Sequence, residues 1–285
     1  MSNPKKAREH WGTRVGFILA AAGSAVGLGN IWRFPYMTGE HGGAAFIIIY
    51  LLAVVLLGYP LIINETVLGR FSQKSPVGAF KALAPKSPWW LVGALGVFTG
   101  FVILSYYAVV AGWALAYTYK VIIATITPGI DHASVFKNHI TSIWEPMIWQ
   151  FLVMVLTVGI IAGGVVKGIQ KWSTILMPIL FLIMIILIVR SVTLPGASEG
   201  VIYYLKPDFS EVSGRTLLAA LSQAFFSLSL GMGVFITYGS YLRGKDEIPV
   251  STAYIAGLDI IFALLAGFAI FPAVFALGFE PGAGP

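Results

Sequence analysis

The feature that most constrains this chain is an apolar stretch, long enough to cross a bilayer, that contains residues able to interrupt its own helix. Within the stretch from Val15 to Met37, the run Gly23–Pro35 has the sequence GSAVGLGNIWRFP. Its glycines and proline weaken helical hydrogen bonding, and Asn30 and Arg33 are costly to place in lipid. An opened backbone inside a bilayer is tolerated only against protein or a water-filled cavity. We therefore expect this segment to be broken and to contact a ligand.

The composition indicates an integral membrane protein, since 58% of residues are hydrophobic, 11% are charged and the mean hydropathy is +0.85. The chain has no cysteine, which excludes disulfides and thiolate metal sites, and its four histidines are scattered. A pI near 9.4 can indicate a nucleic-acid partner, but basic residues of membrane proteins collect in cytoplasmic loops. We therefore expect no nucleic-acid partner.

Seven apolar stretches are long enough to span, which predicts an all-α fold. They are approximately Val15–Met37, Ala44–Asn64, Trp89–Tyr119, Met147–Val166, Trp172–Leu194, Leu217–Leu242 and Ile248–Phe279. A cytoplasmic N-terminus places most lysines and arginines inside, as the positive-inside rule expects. The first stretch lacks the features of a cleavable signal peptide, so we expect it to remain in the mature protein.

The sixth stretch also contains a predicted break, formed by Ser227, Ser229, Gly231 and Gly233. Small residues of membrane helices often only allow close packing, and for this stretch alone packing is the favoured explanation. Secondary transporters, however, place broken helices at matching positions of inverted repeats. Stretches one and six are five apart, which predicts a five plus five helix plan with broken helices 1 and 6.

This plan divides the chain into five parts. They are a cytoplasmic segment (1–14), the first five-helix repeat (15–194), an external loop (195–216), the start of the second repeat (217–279) and a truncated external loop (280–285).

Two acidic residues fall within or at the end of apolar stretches and need partners. Glu65 ends the second stretch, where it could satisfy unwound backbone amides, transfer protons or lie at the boundary near Arg70. Asp259 lies inside the seventh stretch without an obvious basic neighbour. A bound hard cation, ligated by oxygen atoms only, would supply the missing charge.

Several motifs follow one another from Arg8 to the end of the chain. They are Arg8-Glu9-His10-Trp11, the Gly23–Pro35 run, Asn64-Glu65 with Gly69-Arg70, Tyr106-Tyr107, the run Phe225–Gly231, and Ser240-Tyr241. Together they resemble the neurotransmitter:sodium symporter family, in its bacterial branch. The spacing from Gly168 to Pro178 also matches a family motif, which is proposed to let the fifth helix unwind. The resemblance implies sodium-coupled symport by alternating access, in a cell membrane that is expected to be the bacterial inner membrane.

The resemblance also implies two sodium sites. The first would use the Ala25 carbonyl, Asn30, Ser227, Asp259 and the substrate's own carboxylate. The second would use the carbonyls of Gly23 and Val26, with its other ligands on a later segment.

A substrate site is implied beside the sodium sites. Its residues would be Ala25, Gly29, Ile103, Tyr107, Phe226, Ser227, Ser229 and Met232. Monoamine transporters of the family carry an Asp where this chain has Gly27, so we expect an amino acid that brings its own carboxylate, while GABA-like or osmolyte acids remain open. Met232 could re-pack around a large apolar or aromatic side chain, although ordinary core filling is nearly as good an explanation.

Chloride-dependent members hold an anion near positions equivalent to Tyr50, Gln223 and Ser227. We expect Tyr50 and Gln223, together with Glu65, to have a structural or charge-compensating role. The chloride-dependent members carry an amide at the position equivalent to Asp259 and a hydroxyl one turn later, whereas this chain has Asp259 and Ala263. We therefore expect chloride-independent transport.

Gating residues are implied on both sides of the membrane. Tyr107 and Phe226 would cover the substrate, and Arg33 would be the basic half of the outer gate. On the inner side, Arg8 and Trp11 would hold the N-terminal segment near Ser240 and Tyr241, although an interfacial tryptophan is a simpler explanation for Trp11 alone.

Family members carry spans beyond these seven, so we expect a portion of a longer symporter. The alternatives are a truncated membrane protein with a binding or regulatory role, an integral-membrane enzyme, or a channel. No grouping of nucleophile, base and acid supports an enzyme. The preferred amino acid, the ion stoichiometry and the oligomeric state remain open.

Overall fold

The computed structural model describes residues 9–123, 130–244 and 246–282, and these ranges consist of helices and connecting loops. The α-helices are α1 (Arg14–Ala25), α2 (Phe34–Glu40), α3 (Ala44–Ala53), α4 (Tyr59–Ser72), α5 (Pro76–Leu83), α6 (Trp90–Ile122), α7 (His132–Thr141), α8 (Trp144–Ala162), α9 (Lys171–Val192), α10 (Ala197–Leu205), α11 (Gly214–Ser227), α12 (Val234–Gly239) and α13 (Ile248–Ala276). Wider π-helical turns occupy Gly29–Arg33, Val54–Gly58 and Val165–Gln170, and a 3₁₀ turn occupies Phe209–Glu211.

By length and apolar composition, five helical stretches of the described ranges can cross a membrane, or six with one bent pair. The five are Ala44–Ser72, Trp90–Ile122, Trp144–Ala162, Val165–Val192 and Ile248–Ala276. The bent pair joins Arg14–Ala25 to Gly29–Glu40 at 47°, so the first predicted segment is broken as expected.

The sixth predicted segment, Leu217–Leu242, is divided into α11 and α12, neither of which is long enough to span alone. α11 begins with a capping box in which Ser213 and Thr216 bond each other's backbone amides. The helix ends at Ser227 because the next residues leave the helical region, with positive φ at Ser229 (54°) and Gly231 (76°). The prediction of broken helices 1 and 6 is confirmed.

The fourth and fifth spans have different boundaries from the predicted ones. The fourth ends at Ala162, not Val166, because Gly164 adopts a φ of 75° that stops the helix. The fifth begins at Val165, well before the predicted Trp172. The polar residues Lys167 and Gln170 resemble a loop in sequence, but they lie in a π-helical turn that continues into α9.

The two broken segments lie in the middle of the packed helices. α1 packs against α9 and α13, α11 packs against α3, and α12 packs against α4. The α4–α12 contact is close because glycines face backbone atoms on both sides, with Gly69 against Ile236 and Gly239 against Thr66. α8 buries none of its residues within the described part of the chain, which is typical of a lipid-facing helix.

Candidate functional site

The centre of the site is the carboxyl group of Asp259, which lies on α13 and is fully buried. Ser227, at the end of α11, donates a 2.7 Å hydrogen bond to Asp259 Oδ1, and Tyr50 of α3 donates to Oδ2 at 3.0 Å. Asn30 Nδ2 donates to Oδ1 at 2.8 Å and to the Asp259 carbonyl at 3.0 Å. All three neighbours donate, which suits an ionised carboxylate that has no basic side chain beside it.

Asn30 connects this cluster to the opened backbone of the first segment. Its Oδ1 accepts a 3.1 Å hydrogen bond from the Gly27 amide, inside the break between α1 and the following π-turn. Its Nδ2 also donates to Ser227 Oγ at 3.1 Å. The two broken segments and α13 therefore meet at one buried polar point, where the structure brings together Asn30, Ser227 and Asp259, which the sequence had singled out.

A cavity of about 540 Å³ adjoins the break of the first segment. Its lining includes Gly23, Ala25, Val26 and Gly29 of the first segment, Ile103 and Tyr107 of α6, and Phe226, Ser229 and Met232 of the sixth segment. Seven of the eight predicted substrate residues are in this lining. The exception is Ser227, which is 1% exposed and contributes to the Asp259 cluster behind the cavity wall.

Sequence reasoning did not name seven further lining residues: Ser24, Leu28, Ile31, Gly100, Leu104, Ala111 and Val234. Three of them share one face of α6 with Ile103 and Tyr107, since positions 100, 103, 104, 107 and 111 follow helical spacing. That periodicity was the available signal for these three. Ser24, Leu28 and Ile31 belong to the Gly23–Pro35 run, which was expected to contact a ligand, whereas no comparable pattern indicated Val234.

Tyr107 reaches across the cavity to the broken backbone. Its hydroxyl accepts a 2.8 Å hydrogen bond from the Leu28 amide. A Cβ atom at Gly27 would lie 2.8 Å from the same hydroxyl oxygen, closer than real Cβ contacts allow. A side chain at position 27 would therefore force the Tyr107 hydroxyl to shift from its place beside Leu28.

One end of the cavity is covered by aromatic and basic side chains. The rings of Tyr107 and Phe226 lie 6.3 Å apart, and the guanidinium of Arg33 lies 4.9 Å from the centre of the Phe226 ring. Arg33 also donates to Gln223 Oε1 at 2.7 Å and to Ser222 Oγ at 3.0 Å, while Gln223 donates to the Gly29 carbonyl at 2.9 Å. Gln223 thus holds Arg33 beside the Phe226 ring.

The break of the sixth segment is held from two sides. Glu65 Oε1 accepts a 2.8 Å hydrogen bond from the Gly231 amide, in the opened stretch. Ser229 donates a 3.1 Å hydrogen bond to the Ser24 carbonyl of the first segment. Of the roles considered for Glu65, this contact matches the satisfaction of an unwound backbone amide.

On the opposite end, the N-terminal residues pack against the end of α12. Trp11 is 5% exposed and donates from Nε1 to the Tyr238 carbonyl at 3.0 Å, and its backbone amide donates to the Tyr241 carbonyl at 3.3 Å. Ser240 is buried and donates to the Thr237 carbonyl. Trp11 therefore lies beside Tyr241 as predicted, whereas Arg8 lies outside the described residues.

The donor set of the cluster suits a hard cation. The described ranges hold no group of three or more His, Cys, Asp or Glu side chains that could bind a metal ion. Around Asp259 the available oxygen groups are instead its own carboxylate and carbonyl, the side-chain amide of Asn30, and the hydroxyls of Ser227 and Tyr50. Oxygen ligands of this kind favour hard ions over transition metals.

Comparison with known proteins identifies the class to which this fold and site belong. The Sodium:neurotransmitter symporter family model matches residues 8–137 and 132–282. The chain therefore belongs to the sodium:neurotransmitter symporter family, and the resemblance seen in its motifs is confirmed. Proteins of this family are transporters, so an integral-membrane enzyme is rejected, and the chain is a multi-pass membrane protein.

The similar proteins include bacterial ones and a solved structure. An uncharacterized sodium-dependent transporter, YhdH of Bacillus subtilis (strain 168), is 46% identical over 96% of this chain and 61% of its own length. An uncharacterized sodium-dependent transporter of Haemophilus influenzae is 40% identical over 100% of this chain and 65% of its own length.

The crystal structure of MhsT in complex with L-phenylalanine is 49% identical, with a TM-score of 0.93, over 98% of this chain and 64% of that one. The inverted-repeat transporter fold is thereby confirmed. The chain spans less than two thirds of the length of these three relatives.

Proposed function

We propose that this chain contributes to a symporter that couples the entry of sodium to the uptake of an amino acid. One observation carries the proposal: a buried carboxylate, Asp259, meets the interrupted parts of two helices beside a cavity. Broken helices that meet near the middle of a bundle are the usual substrate and ion site of secondary transporters. Alternating access would then open this site to one side of the membrane at a time.

The proposed first sodium site uses Asp259, Ser227, Asn30 and the Ala25 carbonyl, completed by the substrate's carboxylate. The close contacts among the first three support it. Asn30 presents its amide nitrogen to Asp259 in the structure, so coordination of a cation requires the amide oxygen to turn toward the cluster. The proposed second sodium site uses the carbonyls of Gly23 and Val26. Both residues line the cavity described above and also a second cavity against α9.

The proposed substrate is a large apolar or aromatic amino acid. The lining of the cavity is mainly apolar, and its volume of about 540 Å³ falls within the usual range of small-molecule sites. The absence of an acid at Gly27 requires the substrate to bring its own carboxylate, which would meet the amides near Gly29 and the Tyr107 hydroxyl. MhsT has been crystallised in complex with L-phenylalanine, which supports the same substrate class here.

We also propose that transport does not need chloride. The carboxylate of Asp259 lies against Tyr50 and Ser227, where it supplies a fixed negative charge beside the proposed sodium ion. Ala263, one turn further along α13, offers no hydroxyl to an anion and is buried.

The proposed setting is a bacterial inner membrane with the N-terminus in the cytoplasm. In this topology the end of the helix bundle that contains Trp11 is the inner gate, and the end that contains Arg33 is the outer gate. Further spans of the symporter are expected to follow the seven in the same reading frame. A truncated protein with a binding or regulatory role is the alternative, and the coding sequence beyond Pro285 separates the two readings.

Sodium-dependent binding of radiolabelled L-phenylalanine tests the proposal. We expect binding in sodium chloride, none in potassium chloride, and the same binding in sodium gluconate. Asp259→Asn removes the charge at the site and is expected to weaken the sodium dependence of binding. Asp208→Asn removes an exposed charge by the same chemical change and serves as the control. Binding that is equal in sodium and potassium would reject sodium coupling.

A further inference from the structure

The beginning of the fifth span receives a hydrogen bond from a residue far away in the sequence. Its first amide, that of Val165, donates to Glu9 Oε2 at 2.9 Å. The first amides of a helix lack partners within the helix and are normally capped by the preceding side chain. Here the preceding residue is Gly164, which has no side chain. The cap is supplied instead by the N-terminal strap, which we define as residues Glu9–Thr13.

The backbone conformation at Gly164 and the absence of a side chain there leave room for the Glu9 carboxylate. Gly164 has a φ of 75°, and a Cβ atom there would lie 2.9 Å from Glu9 Oε2. A side chain at position 164 would therefore both strain the backbone and displace the carboxylate. A negative charge is also favoured at this end of a helix by the helix dipole.

A second contact joins the same two elements one helical turn later. Gln170 Oε1 accepts a 3.0 Å hydrogen bond from the Gly12 amide. The Gln170 side chain also lies against Gly16, where a Cβ atom would collide with it. The N-terminal strap is thus attached to both ends of the π-turn Val165–Gln170.

The other side of the N-terminal strap is attached to the end of the sixth segment. Trp11 bonds the Tyr238 and Tyr241 carbonyls, and His10 Nδ1 lies 3.2 Å from the Tyr241 carbonyl. Just beyond the strap, Arg14 forms an exposed 3.1 Å ion pair with Glu247 before α13. The strap therefore links the start of the fifth span to the end of α12.

We propose that Glu9 is a positioning residue that makes the seating of the N-terminal strap and the winding of the π-turn Val165–Gln170 one cooperative event. If the strap leaves α12, the fifth span loses its cap, and if the π-turn opens, the strap loses two of its attachments. The consequence for transport rests on the proposed function. Release of the substrate and sodium at the inner end would need the strap to leave α12 and the π-turn to open together.

Amide hydrogen exchange, followed by mass spectrometry, tests this in the purified protein. In Glu9→Ala we expect the peptide covering Val165–Gln170 to exchange about fivefold faster, which corresponds to about 1 kcal/mol at 1.4 kcal/mol per tenfold. Glu9→Gln keeps an acceptor oxygen and is expected to stay within about twofold of the wild type. The peptide covering α5 (Pro76–Leu83) serves as the control and is expected not to change.

Cooperativity is tested by a substitution at Trp11, whose hydrogen bonds go to the sixth segment and not to the fifth span. Trp11→Phe removes the indole donor to Tyr238 but keeps a ring, and we expect it to accelerate exchange at Val165–Gln170 by about twofold or more. Gln170→Ala removes the contact with the strap from the side of the π-turn, and we expect it also to accelerate exchange at Val165–Gln170. The proposal therefore remains testable if Glu9→Ala fails to fold.

Unchanged exchange at Val165–Gln170 in Glu9→Ala and Gln170→Ala would overturn the proposal. Equal acceleration in the α5 peptide would also overturn it, because it would indicate general destabilisation. Exchange in Glu9→Gln as fast as in Glu9→Ala would show that an acceptor oxygen at position 9 does not cap the Val165 amide. None of these measurements requires transport, so failure of sodium-dependent binding would reject the proposed function and leave this result standing.

Discussion

Ser227 donates a 2.7 Å hydrogen bond to the carboxylate of Asp259, and this bond joins the end of α11 to the middle of α13. Ser227 is the last helical residue before the break of the sixth segment, so the bond fixes the position at which the helix opens. The same serine accepts from Asn30, which lies in the first broken segment. A single buried acid thereby organises both broken segments.

Asp259→Asn is predicted to weaken sodium dependence. The substitution removes the buried negative charge that faces the proposed cation, and we expect the sodium concentration for half-maximal substrate binding to rise at least about tenfold, or about 1.4 kcal/mol. Sodium titrations of L-phenylalanine binding measure this. Asp208→Asn, in the loop between α10 and α11, is the matched control, and a similar shift in both variants would contradict the prediction.

Gly27→Ala is predicted to weaken substrate binding about tenfold. The added Cβ would lie 2.8 Å from the Tyr107 hydroxyl, which must move and lose its hydrogen bond with Leu28. Gly257→Ala is the control because nothing lies within 4 Å of a Cβ there. Equilibrium binding of L-phenylalanine distinguishes the two, and equal affinities would show that Tyr107 does not need this glycine.

Met232→Phe is predicted to change selectivity more than overall activity. A rigid ring in the cavity lining leaves less room for a large substrate, and such steric changes are worth about 1 to 3 kcal/mol. We expect the affinity ratio of phenylalanine to leucine to fall about tenfold in competition binding. Met147→Phe, at an exposed position of α8, is the control, and an unchanged ratio in Met232→Phe would indicate that Met232 only fills space.

Tyr50→Phe is predicted to destabilise the protein. It removes the hydrogen bond to Asp259 Oδ2, and a bond to a buried charged group typically contributes about 1.5 to 3 kcal/mol. Tyr254→Phe, on the exposed face of α13, makes the same chemical change without losing such a bond and is expected to be neutral. Thermal unfolding followed by circular dichroism compares them. A midpoint for Tyr50→Phe that matches Tyr254→Phe would contradict this account of the cluster.

Exchange of chloride for gluconate is predicted to leave sodium-driven uptake by the intact symporter unchanged, because Asp259 supplies the negative charge permanently. Uptake of labelled amino acid into vesicles, with sodium outside in both cases, is the measurement. A collapse of uptake in gluconate would reject chloride independence while leaving sodium coupling in place.

Much of the fold was predictable because the bilayer imposes simple rules on sequence. Length and apolar composition indicate a span, and glycine with proline inside a span indicates a break, as at Gly23–Pro35. The boundary of the fifth span was wrong because Lys167 and Gln170 are typical of a loop. They lie instead in a π-turn whose first backbone amide bonds the Glu9 carboxylate, while the Gln170 side chain accepts from the Gly12 amide, and both partners are distant in the sequence.

The sequence by itself determined that the chain is a helical membrane protein, where its helices break, and which side chains had to find buried partners. The tertiary structure alone decided the partners: Tyr50 for Asp259, Gly231 for Glu65 and Glu9 for Val165. Helical spacing predicts which residues share a face over a few turns. Contacts between distant segments depend on how whole helices pack, and that packing cannot be read from the local pattern of one sequence.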